Sequence, residues 1–424
     1  MGNKYTYGCT NCGKRFDSDA IHYLCPDCSA NFPNALPPKG VLKTLYDYDS
    51  LKQKGITLSQ LNQNHWLDLL PINELRSLPN LRICETPLYH FIKLGNETLN
   101  FDLYLKDDSQ NPTFSFKDRA SAIVSAFAKE RGINTIVTAS TGNAGSSLAG
   151  ICAAQGQKAI VMVPASAPIA KLTQIIMYGA TIVPVKGTYD DAFDLSVRAT
   201  GEFSWYNRNT AFNPLTIEWK KTVSFELLNQ LGETVPDRIF VSVGDGVIIS
   251  GVYKGFEDLL KLGLINKMPT IVAVQASGSD NLVRNLENDV FQAKPSQTLA
   301  DSISVDYPPN FYMARDFLKK YNGEWITVSD EEILEASKKL ASTTGLFAEP
   351  AAVAAFAGML KNKKSNKIPE GSKNVVLLTG SGLKDIKSLE NSLKIPEAIE
   401  PKIIDLINLV KRNTDNTDLA DLRG

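Results

Sequence analysis

No positively charged leader followed by an apolar core opens this chain, and no run of roughly 18 apolar residues could span a bilayer. The expectation is a cytoplasmic protein without a membrane partner. An excess of one charge is missing too: 45 Lys+Arg against 46 Asp+Glu leave −1. That balance supplies no field for nucleic acid, and no dense basic patch compensates, so no nucleic-acid partner is expected. Glycine loops occur, but none runs on into GKS or GKT, which excludes a Walker nucleotide site. No internal repeat or low-complexity stretch interrupts the 424 residues, a length that fits two or three domains of ordinary globular composition.

Cysteine is scarce and unevenly placed. Cys84 and Cys152 stand alone in apolar surroundings and read as small buried hydrophobes. Cys9, Cys12, Cys25 and Cys28 form two CxxC knuckles with twelve residues between them. Gly13 and Pro26 beside the cysteines let the backbone wrap a tetrahedral ion, and four thiolates complete a closed structural zinc site. Disulfides are the competing reading, disfavoured by a cytosolic setting and by the short loops. His22 reads as a surface histidine. A proline-rich linker, NFPNALPPKG, follows, and the segments up to about residue 100 carry helical patterns without an evident task.

From residue 101 the pattern changes. INTIVTAS, KAIVMVPA, ATIVPVKG, DRIFVSVG, TIVAVQAS and NVVLLTGS each precede a stretch of helical length. That alternation predicts a doubly wound α/β architecture with parallel strands buried on both faces. Ligands of such sheets bind beyond the carboxyl ends of the strands. After INTIVT comes ASTGNAGSS, a tight turn into a helix near Asn143, where free amides and the Ser140 and Thr141 hydroxyls suit a carboxylate or a phosphate. After DRIFVSV comes GDGVIISG, where Gly244 and Gly246 permit close approach of a phosphate. After NVVLLT comes GSGLKD, with Thr379 at the strand end.

The stretch NPTFSFKDRAS places Lys117 in the first turn of a helix, with Ser115 predicted as N-cap and Asp118 in the box position. A cation there is disfavoured by ~0.3–1 kcal/mol. A solvated lysine and a reactive amine both fit this stretch. One phosphate loop, one carboxylate loop and one lysine, with no second phosphate loop and no catalytic His/Asp set, together suit pyridoxal phosphate, whose aldehyde takes a lysine and whose phosphate takes a helix N-terminus.

NPTFSFKDRA, ASTGNAGSSLA, VGDGVIISGVYKGF, GLFAEPAAVAAFAG and LLTGSGLKD, in this order, resemble the threonine synthase branch of the fold-type II pyridoxal phosphate enzymes over about residues 84 to 390. The resemblance implies a tryptophan synthase β-like two-domain fold behind a small zinc ribbon. It implies Lys117 as the Schiff-base lysine and proton shuttle, and Asn143 as partner of the cofactor's 3-oxygen. Ser140, Thr141 and Gly142 would take the substrate α-carboxylate, and Gly244, Asp245, Gly246, Val247 and Ile248 would cradle the cofactor phosphate. Thr379 would meet the pyridine nitrogen. The implied reaction converts O-phospho-L-homoserine and water to L-threonine and phosphate.

Residues 1–33 then form the ribbon, 34–117 with 216–400 a large cofactor domain with an N-terminal extension, 118–215 a small closing domain, and 401–424 a polar tail. A homodimer is expected. Four positions depart from the family pattern. Val247-Ile248 replace a Gly-Asn pair, Ser381 replaces a histidine, and Thr216 stands where the family commonly has an arginine for the substrate phosphate, with Arg208, Lys220 and Lys221 as nearby substitutes. The lost arginine keeps open a second reaction class, β-elimination or β-replacement on a serine-, cysteine- or diaminopropionate-like amino acid. Glu349 before Pro350 reads either as a helix cap or as a group at the cofactor ring's edge.

Overall fold

The computed structural model describes residues 4–30, 36–390, 395 and 397–414. The expected boundary between residues 33 and 34, and the last part of the expected tail, lie outside the described residues. Strands β1 (Tyr5–Cys9), β2 (Arg15–Asp17) and β3 (Leu42–Tyr46) form an antiparallel sheet in the order β2-β1-β3. A hairpin, β4 (Leu88–Leu94) and β5 (Glu97–Asp107), leads into a four-stranded sheet built from β6 (Thr135–Ala139), β7 (Lys158–Pro164), β8 (Thr181–Val185) and β9 (Tyr206–Asn207). Its order is β8-β7-β6-β9, all parallel. Then β10 (Arg238–Ser242), β11 (Thr270–Ala276), β12 (Glu324–Val328) and β13 (Lys373–Leu378) join the hairpin in a six-stranded sheet, β12-β11-β10-β13-β5-β4, antiparallel only at β4.

The six apolar runs read from the sequence all occur as strands. Ile239, Phe240 and Val241 of β10 are fully buried, as expected of a parallel strand covered on both faces. Strand β12, EWITV, escaped that reading because it is an edge strand with an exposed Trp325, so its sequence lacks a continuous apolar run.

Residues 42–70, without an evident task in the sequence, pack against the larger sheet's helices. Lys43 pairs with Glu257, the Tyr46 hydroxyl donates to Glu218 at 3.0 Å, and the Tyr48 hydroxyl donates to Asp258 at 2.6 Å. Tyr5, Tyr7 and Trp66 share one hydrophobic core with Phe127 and Phe225. The cysteine-bearing sheet is thus seated on the core shared by the helices Lys117–Glu130 and Val247–Leu262. The described residues after 386 form a separate unit that includes the helix Ile403–Thr414, where the sequence reading gave only a polar tail. Among the described residues no helix is long and apolar enough to cross a membrane.

Candidate active site

Main-chain hydrogen bonds staple three segments together beside Lys117. Phe116 N donates to Thr379 O at 2.9 Å, Ser381 N to Phe114 O at 3.1 Å, and Glu349 N to Gly380 O at 3.0 Å. The lysine loop is therefore fixed to the end of β13 and to the start of the helix Pro350–Lys364. Phe114 holds φ at +69°, a left-handed conformation that a bulky residue keeps only where its surroundings impose it.

The predicted cap is corrected. Phe116, not Ser115, occupies the N-cap of the helix Lys117–Glu130, and the buried Ser115 hydroxyl has no partner. Ser115 is instead committed to an antiparallel bridge with Gly380. Asp118 reaches back past it, accepting the Thr113 amide at 2.7 Å and the Thr113 hydroxyl. Lys117 does lie in the first turn, 16% exposed, with Nζ 3.4 Å from Asp245 Oδ2. A carboxylate at this distance offsets the unfavourable helix field.

Lys117, Asn143, Gly244, Asp245, Gly246, Ile248, Glu349 and Thr379 line one cleft. Two helices of 13 and 16 residues, Asn143–Gln155 and Val247–Leu262, begin at this cleft, and the first-turn amides of each have no intrahelical acceptor. Ser140, Thr141 and Gly142 are half-buried in the loop just before Asn143, and Gly142 N donates to Ser140 Oγ at 3.2 Å. Val247 is buried away from the cleft, and its amide donates to Asp245 Oδ1 at 2.9 Å. Asp245 thus holds the first amide of the second helix while facing Lys117. Burial works against its charge, yet Lys117 and Lys220 hold its carboxyl below the ordinary aspartate range.

Glu349 does not cap its helix through its side chain. Its oxygens accept from Asn143 Nδ2 at 2.9 and 3.1 Å, and burial pushes the carboxyl up to about 7 despite those bonds. Gly244 and Gly380 are required by close approach. A Cβ on Gly244 would lie 2.7 Å from Ile303 Cα, and one on Gly380 would lie 2.4 Å from Glu349 Oε1. A narrow glycine cradle under a helix N-terminus, a lysine beside it and a lone hydroxyl at Thr379 together fit pyridoxal phosphate.

Sequence reading overlooked the wall formed by Ser302 and Ile303, which no motif marks. It also overlooked Lys384, whose Nζ donates to Ser146 Oγ at 2.9 Å and to Gln174, tying the GSGLKD loop to the helix behind Asn143. The GSGLKD motif was its only signal.

The basic residues near Thr216 divide sharply. Thr216 itself is buried in a local turn, donating to Asn213 O at 2.7 Å and accepting from Ala211 N at 3.3 Å. Lys221 is committed to Glu218 at 2.7 Å and Asp258 at 2.8 Å. Lys220 and Arg208 are fully buried, and Lys220 Nζ and one terminal nitrogen of Arg208 have no partner.

In the N-terminal sheet the sulfurs of Cys9, Cys12, Cys25 and Cys28 all lie within 4.8 Å of one another. The Cys9–Cys28 and Cys12–Cys25 separations are both 3.8 Å. Zn–S bonds of ~2.3 Å give a tetrahedral edge of about 3.8 Å, whereas a disulfide needs ~2.05 Å. Asn11 N donates to Cys9 Sγ at 3.4 Å, and Gly40, at φ +86°, closes over Cys25 and Cys28. The four cysteines could hold a metal ion.

Residues 80–380 match the family model of pyridoxal-phosphate dependent enzymes. The chain is 35% identical over 399 residues to a threonine synthase of Methanocaldococcus jannaschii, covering 91% of this chain and 96% of that protein. It is 37% identical over 318 residues to one of Bacillus sp., covering 74% and 88%. Among solved structures, threonine deaminase isoform 2 of Solanum lycopersicum aligns with a TM-score of 0.64 at 20% identity, over 79% of this chain and 92% of that one. Serine racemase of Dictyostelium discoideum aligns at 0.61 and 24%, over 77% and 98%. These two show the fold, the fold-type II arrangement expected from the sequence. The chain belongs to the pyridoxal-phosphate dependent enzymes and, within them, to the threonine synthases.

Proposed function

We propose that this protein is a cytoplasmic, homodimeric enzyme that converts O-phospho-L-homoserine and water to L-threonine and phosphate. Pyridoxal phosphate is held in the cleft and a structural zinc ion by Cys9, Cys12, Cys25 and Cys28. The observation that carries this reading is Lys117 Nζ in a helix's first turn, facing Asp245, in a cleft where two helix N-termini and Thr379 meet.

When bound, the cofactor supplies an electron sink for carbanions at Cα and Cβ of the amino acid. Lys117 is the group placed to move protons at Cα and then at Cβ, and to return them once the γ-phosphate has left and water has added. Asp245, 3.4 Å from Nζ, positions the Lys117 side chain. The first turn of the Val247–Leu262 helix and its glycines hold the cofactor phosphate, and Thr379 offers the ring nitrogen a hydroxyl rather than a carboxylate. Asn143 takes the 3-oxygen, and Ser140, Thr141 and Gly142 take the substrate carboxylate. Residues 118–215 close as a unit over the substrate against the larger domain and exclude water until it is needed.

The buried, locally satisfied Thr216 favours the second reading, β-elimination or β-replacement on a serine-like amino acid, since no arginine clamp stands there. Product analysis separates the two. Holoenzyme given O-phosphohomoserine should release threonine and phosphate in equal amounts, and Lys117→Ala should release neither. A wild-type holoenzyme that leaves O-phosphohomoserine intact while forming pyruvate from serine would establish the second reading instead.

A further inference from the structure

Among the described residues, Lys220 and Arg208 are fully buried basic side chains that each keep a nitrogen without a hydrogen-bond partner. Lys220 lies between the helices Leu215–Glu218 and Thr222–Gln230, and its Cβ packs where a Cβ on Gly251 would come within 2.7 Å, against the helix that begins at the glycine cradle. Arg208 follows β9. Its amide donates to Val137 O at 2.8 Å on β6, the strand that carries the Ser140–Asn143 loop. Nε donates to Ser121 Oγ at 3.1 Å and one terminal nitrogen to Thr210 Oγ1 at 3.0 Å, which leaves the other terminal nitrogen open.

Both groups act electrostatically on Asp245, and Lys220 acts on Lys117 and Arg208 as well. Neither side chain lines the cleft itself; both lie behind it, within electrostatic reach of Asp245, which does line it, and each keeps donor capacity unspent. An orphaned buried amine or guanidinium is destabilising unless a ligand completes it. A phosphate monoester dianion supplies both the charge and the acceptors that are missing. Burial and the neighbouring Lys117 make Lys220 surrender its proton easily at rest, and an arriving dianion would restore the charge.

We propose that Lys220 and Arg208 form the subsite for the substrate's γ-phosphate, in place of an arginine at position 216, and select amino acids whose side chain ends in a phosphate monoester. The inference rests on the threonine synthase reading for the identity of the substrate, but not for the binding of an anion. Both head groups are closed off from solvent in this conformation, so admission of the phosphate requires the site to open.

Inorganic phosphate, the product and the minimal probe, tests the pair in the pyridoxal-phosphate-loaded enzyme, whose cofactor cradle is already filled. Millimolar phosphate should raise the thermal midpoint of wild type, and Lys220→Met and Arg208→Gln should each abolish that rise while retaining the visible absorbance of bound cofactor. In turnover, both should raise KM for O-phosphohomoserine at least tenfold and weaken inhibition by phosphate in parallel, with Lys220→Arg recovering part of the loss. Wild-type phosphate response in both variants would overturn the proposal. So would loss of cofactor from the variants, which would assign the pair to the cofactor's phosphate. Should either variant fail to fold, Lys220→Gln and Arg208→Lys are read in the same way. A phosphate response that depends on the pair in an enzyme that makes no threonine would uphold the subsite and refute the proposed reaction.

Discussion

Arg119 and Lys220 are both fully buried basic side chains, and their surroundings could hardly differ more. Arg119, two residues beyond Lys117 on the same helix, donates to Asp108 at 2.6 and 2.9 Å, to Thr222 at 2.8 Å and to Glu226 at 3.0 Å. Lys106 completes that cluster, donating to Glu226 at 2.6 Å, to Thr86 O at 2.6 Å and to Gln230 at 2.9 Å. Every charge there is met by an opposite one. Burial opposes the ionised Glu226, but Arg119 and Lys106 bring its carboxyl down to about 2. Lys220 Nζ has no hydrogen-bond partner at all. The closed cluster locks the lysine-bearing helix to the helix Thr222–Gln230, whereas the open pair is a site waiting for its anion. Buried charge serves structure when the chain supplies the counter-charge, and serves binding when it withholds it.

The largest effect should come from opening the closed cluster. Arg119→Met leaves Asp108 and Glu226 buried without their cation and should cost about 3–5 kcal/mol in chemical denaturation. Glu349 comes next. Its folded pKa, about 7, lies above its ordinary value of 4.5, so the stability linked to its neutral form is complete below that value and is lost as pH rises through 7. Cofactor-free wild type should therefore lose up to about 3 kcal/mol relative to Glu349→Gln between pH ~4.5 and 7. Parallel pH–stability curves for the two proteins would remove Glu349 as the titrating group.

A smaller effect is expected at Thr216. Thr216→Val breaks two local hydrogen bonds and should cost ~1–2 kcal/mol in denaturant titration while leaving KM for substrate unchanged. A large rise in KM would return the phosphate site to that position.

Much of this arrangement was legible in the chain because the relevant signals are local. The central strands are unbroken apolar runs, and the loops after β6, β10 and β13 announce themselves through glycine, serine and threonine. The cysteine spacing gave the four-sulfur cluster. Other features depend on contacts between distant segments. Ser115 has the chemistry of an N-cap, but its bridge to Gly380 takes it out of that role. Glu349 meets Asn143, 206 positions away, and the sequence could only offer it two alternatives. Most telling is KK at 220–221, two identical side chains in a row. Lys221 finds Glu218 and Asp258, whereas Lys220 Nζ finds no hydrogen-bond partner, with Asp245 as the opposite charge it senses.

The comparison of closed and open buried cations is tested most directly by making one substitution at both places and measuring the thermal midpoint of the cofactor-loaded, phosphate-free enzyme. Arg119→Met should lower it steeply. Lys220→Met, which replaces an unpartnered buried amine with an apolar chain of similar length, should raise it, by about 1–3 kcal/mol in stability. A fall of similar size in both variants would contradict the account, because it would mean that Lys220 already has the partner its site is argued to lack.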